Sequence, residues 1–202
     1  MQSALPLAEA LGEQKAVRSI CEQISQVLCQ LGLQEEAIKY GLRSAKLAAA
    51  LSMKQQEGHA YRLLGTANGR LQRFPMALAF HKKHLSVAEE TKDTQQQAAA
   101  LVNLGFCHSA LQQHSQAQHY LRQAVSLHQD SNYLPGLQRA YGNLASSLHK
   151  QHTEEGKDGL LEEAVEMFES AIAIANTLKD VAREREFCSG LGQVFFSQEQ
   201  YA

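Results

Sequence analysis

The sequence predicts an all-α chain built as an α-solenoid of antiparallel helix pairs, and three observations carry that prediction. Only three prolines interrupt 202 residues, tryptophan is absent, and alanine, leucine, glutamine and glutamate dominate, so helix propensity is high along the whole length. The sequence also matches itself at a period of 40: Leu64-Gly65 recurs as Leu104-Gly105 and as Leu144-Ala145, Tyr61 is matched by Tyr141, and Phe80 by Tyr40 and Tyr120. Within each copy, apolar residues recur at helical spacing in two separate runs. Such a helix cannot bury its face alone, so each pair needs its neighbours to complete a core.

The elements follow in order. Ala8 aligns with Ala48 and Ala88, and "LGE" ending at Glu13 aligns with "TKD" ending at Asp93, so residues 1–13 read as the second helix of an incomplete repeat. Full repeats are expected at 14–53, 54–93 and 94–133. In the second of these, Tyr61, Leu64, Ala67 and Leu71 form the first stripe, and "QRFP" (72–75) reads as the turn. Ala77, Phe80, His84 or Leu85, and Ala88 form the second stripe. Gly65, Gly105, Ala145, Gly192, Ala77, Ala117 and Ala164 stand where two helices must approach closely. The repeat at 134–180 is longer. Leu191-Gly192 follows Leu144-Ala145 by 47 residues, and the excess lies in "HTEEGKDG" (152–159), read as a seven-residue insertion in the turn. Residues 181–202 begin another pair, and Tyr201 aligns with Phe74, so a turn into a second helix is expected there. The two incomplete ends read as those of a fragment of a longer array.

A Leu-Gly pair followed thirteen residues later by Ala77, with Phe74 three residues before that alanine and Phe80 after it, resembles the tetratricopeptide repeat. "NLG" (103–105), "NLA" (143–145) and "AFHKKHLSVAEETKD" (79–93) are similar to the longer-period variety found in the Pins/LGN polarity adaptors. The resemblance covers essentially the whole chain. It implies a right-handed superhelix of about four and a half helix pairs, acting as a non-catalytic adaptor that binds a peptide or helix of a partner protein in its concave groove. The alternative is a structural or regulatory arm of a larger protein that works through self-association or intramolecular packing.

In the resembled family the first helix of each pair lines the concave face. The positions opposite the Leu-Gly stripe select Arg62, Thr66, Gly69 and Arg70, then Val102, Asn103, Phe106 and Ser109, then Arg139, Asn143, Ser146 and His149, with Glu186, Ser189 and Gln193 beyond. The expected partner-binding residues are Arg62, Thr66, Arg70, Asn103, Phe106, Arg139, Asn143 and Ser146. Asn103 and Asn143 match an asparagine that grips bound peptide in many such repeats, its amide offering a donor and an acceptor to an extended backbone. Arg62, Arg70, Arg139 and Lys150 suggest an acidic or carboxylate-bearing peptide. Thr66 and Ala99 stand where the two-carboxylate clamp of chaperone-binding relatives has asparagine and lysine, so a heat-shock-protein tail is not expected.

Other chemistries find little support. A net charge of −2 gives no basic footprint for nucleic acid, and no apolar run reaches membrane-spanning length. "GTANGR" fits neither phosphate-loop pattern and follows no strand. Nine histidines, among them His81 and His84 at i, i+3, lack acidic or cysteine partners at metal-ligand spacing, so no metal is expected. "HQDS" (128–131) reads as a helix end entering a loop, not as a triad, and neither catalysis nor a cofactor is expected. Cys21, Cys29, Cys107 and Cys188 lie far apart, and the opening "MQSALPLAEALGEQK" lacks the pattern of an export signal, which suits reduced thiols in an intracellular, cytoplasmic protein.

Overall fold

The computed structural model describes residues 4–157 and 159–201, with side chains through Glu199. Every regular element among the described residues is an α-helix: α1 (Ala4–Ala10), α2 (Gln14–Gln30), α3 (Gln34–Ala50), α4 (Lys54–Arg70), α5 (Phe74–Glu90), α6 (Thr94–Ala110), α7 (His114–Asp130), α8 (Leu134–Glu155), α9 (Leu160–Leu178) and α10 (Val181–Tyr201). The chain divides into two compact units, one through Ala100 and one from Leu101, and the boundary falls within α6.

Helices α2 to α7 are each 17 residues long. One turn device closes them. In the first unit Gly12, Gly32, Ser52, Gln72 and Lys92 take positive φ, and in the second Gln112 and Asn132 do. After α1 the Gly12 amide donates to the Glu9 carbonyl at 3.1 Å and the Glu13 amide to the Ala8 carbonyl at 3.0 Å. The same pair follows α4 (Gln72 to Gly69, 2.9 Å; Arg73 to Asn68, 2.9 Å) and, in the second unit, α6 (Gln112 to Ser109, 3.1 Å; Gln113 to His108, 2.9 Å). These reversed bonds satisfy carbonyls that a helix end leaves open. Glycine reaches this conformation without steric penalty at positions 12 and 32, whereas a side chain there costs about 1 kcal/mol. The turn expected at "QRFP" is therefore Leu71–Arg73, and Phe74 and Pro75 already belong to α5, where proline is tolerated because the first amides have no partner in the helix.

Within the first unit, α4 packs on α5 through a small-against-large contact. A Cβ at Gly65 would stand 2.5 Å from the His81 ring, so only glycine lets the imidazole lie on the α4 backbone. Leu64 lies beside it in a cluster with Ala45 and Ala60, bordered by Tyr61 and Phe80. The second unit repeats the device: an added Cβ would stand 2.4 Å from Leu121 at Gly105, 2.2 Å from Phe187 at Gly142, 2.5 Å from Phe168 at Gly190 and 2.3 Å from the His128 ring at Gly136. Leu121, Leu144, Ala145, Phe168, Phe187 and Val194 belong to one continuous core there. Gly192 departs from the expectation of close approach: it is exposed, and a side chain on it would meet nothing within 4 Å.

Two further expectations are corrected. The insertion does not sit in a loop alone, because α8 runs 22 residues through Glu155, so His152 to Glu155 are helical and the connection narrows to residues 156–159. The extension is held by tertiary bonds: Glu154 accepts from Gln112 at 3.3 Å and pairs with His114 at 2.8 Å. Asp158 of that segment lies outside the described residues. The turn expected before Tyr201 is also not formed, since α10 continues through Tyr201. Gln198 and Glu199 are good helix formers, and Gln72 leaves the helical region only where α5 folds back on α4. The side chain of Tyr201 lies outside the described residues.

Candidate functional site

In the second unit, α6, α8 and α10 line a groove of about 370 Å³, with α9 contributing Phe168. Its lining includes Phe106 and Ser109 of α6, Asn143, Ser146, His149 and Lys150 of α8, and Glu186 and Gln193 of α10. The first helix of successive pairs thus supplies most of the surface. Of the expected binding residues, Phe106, Asn143 and Ser146 meet here. Phe106 is half exposed, and the Asn143 amide makes no hydrogen bond among the described residues. Ser146 Oγ donates to the Gly142 carbonyl at 2.9 Å, which commits its proton to the helix and leaves its oxygen as an acceptor.

Asn103 and Arg139 lie outside that lining and bond to each other, Arg139 Nη2 donating to Asn103 Oδ1 at 3.3 Å. One of the two asparagines is therefore partly engaged by a neighbouring guanidinium. Val102, expected on the same surface, is buried. Phe168 and Thr153 also line the groove, and sequence reasoning does not reach them. A signal for Phe168 exists: it follows Ala164 by four residues, as Leu121 follows Ala117.

Arg62, Thr66 and Arg70 belong to the first unit. Thr66 Oγ1 donates to the Arg62 carbonyl at 2.9 Å, the Ser146 arrangement over again. Arg70 Nη1 donates to the Cys29 carbonyl, where Gln34 Nε2 also donates at 3.2 Å, so Arg70 caps the end of α2. Arg62 is half buried, its Nε without a hydrogen-bond partner among the described residues.

The histidines show what burial does to a titratable group. His81, His84, His108, His114, His128 and His152 are buried. Burial first, then His84 and Arg62, pushes His81 down to about 3. Burial likewise takes His84 down to about 4, with Arg62 and His59 adding to it against a bond in which His84 Nε2 donates to Gln96 Oε1. Both are neutral packing groups at pH 7. Burial, and secondarily His152, lowers the pKa of His149, whose Nε2 lies 2.9 Å from Ser197 Oγ. The Ser197 hydroxyl donates to the Gln193 carbonyl at 3.0 Å, so His149 donates to Ser197 and does not act as its base. Among the described residues no group of three His, Cys, Asp or Glu is arranged to hold a metal ion, and no helix is long and apolar enough to cross a membrane.

Residues 56–130 match the tetratricopeptide repeat family model. The apo form of RapI superposes at a TM-score of 0.80 with 18% identity, over 98% of this chain and 74% of that one. The fold is a tetratricopeptide-type solenoid. A putative kinesin light chain from Podosopora anserina with nearly identical TPR-like repeats gives 0.70 at 17% identity, over 93% of this chain and 89% of that one. Aspartyl phosphate phosphatase F from Bacillus subtilis gives 0.73 at 18% identity, over 95% of this chain but 55% of that protein's length. At such identities each likeness is one of tetratricopeptide-type architecture, not of chemistry.

Proposed function

We propose that this chain is a non-catalytic interaction scaffold whose repeats, at 14–53, 54–93, 94–133 and 134–180, present a groove to an extended peptide of a partner protein. The observation that carries the reading is the groove of the second unit, whose lining includes Phe106 and Asn143, the latter without a hydrogen bond among the described residues. An amide there can donate to and accept from a peptide backbone, and the exposed part of Phe106 can cover one apolar side chain. Lys150 offers a partner to an acidic residue of the peptide, whereas Glu186 disfavours a second one, so the preference is for a mixed sequence with a single acid. The likeness to a Rap protein crystallised with the competence and sporulation factor is compatible with peptide binding, at a TM-score of 0.56 and 13% identity.

The test is selection of peptides on the full chain from a random library, followed by titration against wild type, Asn143→Ala and Lys150→Glu. Asn143→Ala should weaken the selected peptides about tenfold, the effect of one lost hydrogen-bonding pair in a partly desolvated site. Peptides with a required acid should weaken further with Lys150→Glu, and selected peptides indifferent to both variants would remove the groove as the site.

A further inference from the structure

The added turn of α8 has two faces with different work. Helix α6 ends at Ala110, whereas at the matching place 40 residues on, Lys150, α8 continues through Glu155. One face of that continuation is spent on α7 and the turn before it. Gln151 Oε1 accepts from Gln118 at 2.7 Å, and Glu154 accepts from His114 Nε2 at 2.8 Å and from Gln112 Nε2 at 3.3 Å. The other face lines the groove with Lys150 and Thr153. Thr153 Oγ1 donates to the Lys150 carbonyl at 2.8 Å, so the charge this turn offers to the groove is the exposed Lys150 ammonium.

Two acids are candidates to hold that ammonium, and both are engaged elsewhere. Glu186, in the groove lining on α10, pairs with Arg183 of its own helix at 2.8 Å. Glu154 follows Lys150 by four residues, the spacing at which a lysine and a glutamate on one helix pair, and stands about 40° round the helix from it. It is turned instead to His114, the buried first residue of α7. We infer that His114 and Glu154 set how readily the groove takes an acidic side chain. His114, with Gln112, holds the Glu154 carboxylate against α7, which leaves the Lys150 ammonium to a carboxylate of the ligand. Released, Glu154 pairs with Lys150 and repels an incoming acid from the same place. The inference rests on the groove as the peptide site and adds two positioning residues that do not line it.

The variant that frees Glu154 is His114→Phe, because Phe74 fills the matching first position of α5 and shows that the packing accepts a ring without a donor. Two readouts on the full chain follow it. The first is the affinity of the library-selected peptides that carry a required acid, which should fall about threefold. The second needs no peptide: acylation of Lys150 by an N-hydroxysuccinimide ester, scored by mass spectrometry against the exposed Lys39, should slow about threefold as the amine becomes an ion-paired ammonium. Adding Glu154→Gln to His114→Phe should restore both, since the amide carries no charge to compete, whereas damage to the packing would persist. Gln112→Ala, at an exposed turn position, should move both readouts the same way by less, and decides the matter if His114→Phe does not fold. Acylation indifferent to these variants, or a double variant no better than His114→Phe, overturns the inference whatever the peptides do. Peptides indifferent to Lys150→Glu as well would remove the groove reading beneath it.

Discussion

The His81 ring lies on the bare backbone of Gly65, and 40 residues on, the ring of His81 is replaced by the side chain of Leu121 over Gly105. The two contacts do the same packing with different acid chemistry. Above pH 6.5 the imidazole is neutral whether the chain is folded or not. Between about 6.5, where the unfolded group titrates, and about 3, where the folded one does, only the unfolded chain takes the proton. Stability therefore falls as pH is lowered through that window, by up to about 1.4 kcal/mol per pH unit for this one group. His81→Leu should remove this group's share of the dependence, and urea unfolding should show its stability gain at pH 5 exceeding that at pH 8 by about 2 kcal/mol. Equal gains at both pH values would mean that the ring is protonated or solvated in the fold. Histidine at a packing position is ambiguous in sequence. The stripe leaves His84 or Leu85 open as the inward residue, and the structure buries His84 while Leu85 is only half buried, because the helix phase is set by the partner helix.

At the scale of the element, the turns govern regularity. Paired cap bonds recur after the 17-residue helices, yet Ser52, Gln72, Lys92, Gln112 and Asn132 hold the left-handed position that glycine fills at 12 and 32. Gln72→Gly and Gln112→Gly should each stabilise the chain by about 0.5–1 kcal/mol in chemical denaturation, since relief of the side-chain clash outweighs the added freedom of the unfolded chain. Loss of stability at either site would mean that the glutamine side chain makes contacts worth more than its backbone strain. The α8 extension shows the converse, a segment whose insertion is evident in spacing but whose helical form is fixed elsewhere. Glu154 reaches Gln112 and His114 only because α7 and α8 pack together, and no local signal in "HTEEGKDG" carries that information.

For the whole molecule, the two units have different cores. The second holds a continuous apolar cluster around Leu121, Leu144, Phe168 and Phe187, the first holds smaller ones such as that around Leu64, and both bury histidines, His81 and His84 in the first and His108, His114, His128 and His152 in the second. Burial pushes His81 and His84 of α5 down to about 3 and about 4, so acidification from pH 7 to pH 5 should raise amide exchange in α4 and α5 more than in α9, which carries no histidine, after correction for intrinsic rates. Uniform loss of protection would show that the chain opens as one cooperative body at that pH. The groove divides along similar lines. Phe106, Asn143 and Ser146 are legible because surface phase on a first helix follows from the Leu-Gly stripe, and the same phase misplaces Val102, which packing draws into the core. Charge was less legible: Arg70 caps α2 and Arg139 bonds Asn103, both through contacts more than thirty residues distant in sequence.

The sequence by itself determined the all-helical class, the pairing into helices at a regular spacing, and the small residues that admit close contact at Gly65 and Gly105. Those follow from periodicity and side-chain size, which are local properties repeated along the chain. Tertiary structure alone decided which polar groups are already spent, as with Arg70 and Asn103, and that Phe168 helps line the groove. The physical reason is that hydrogen bonds and burial are pairwise: a side chain's availability depends on what packs against it, and that partner lies far away in the sequence.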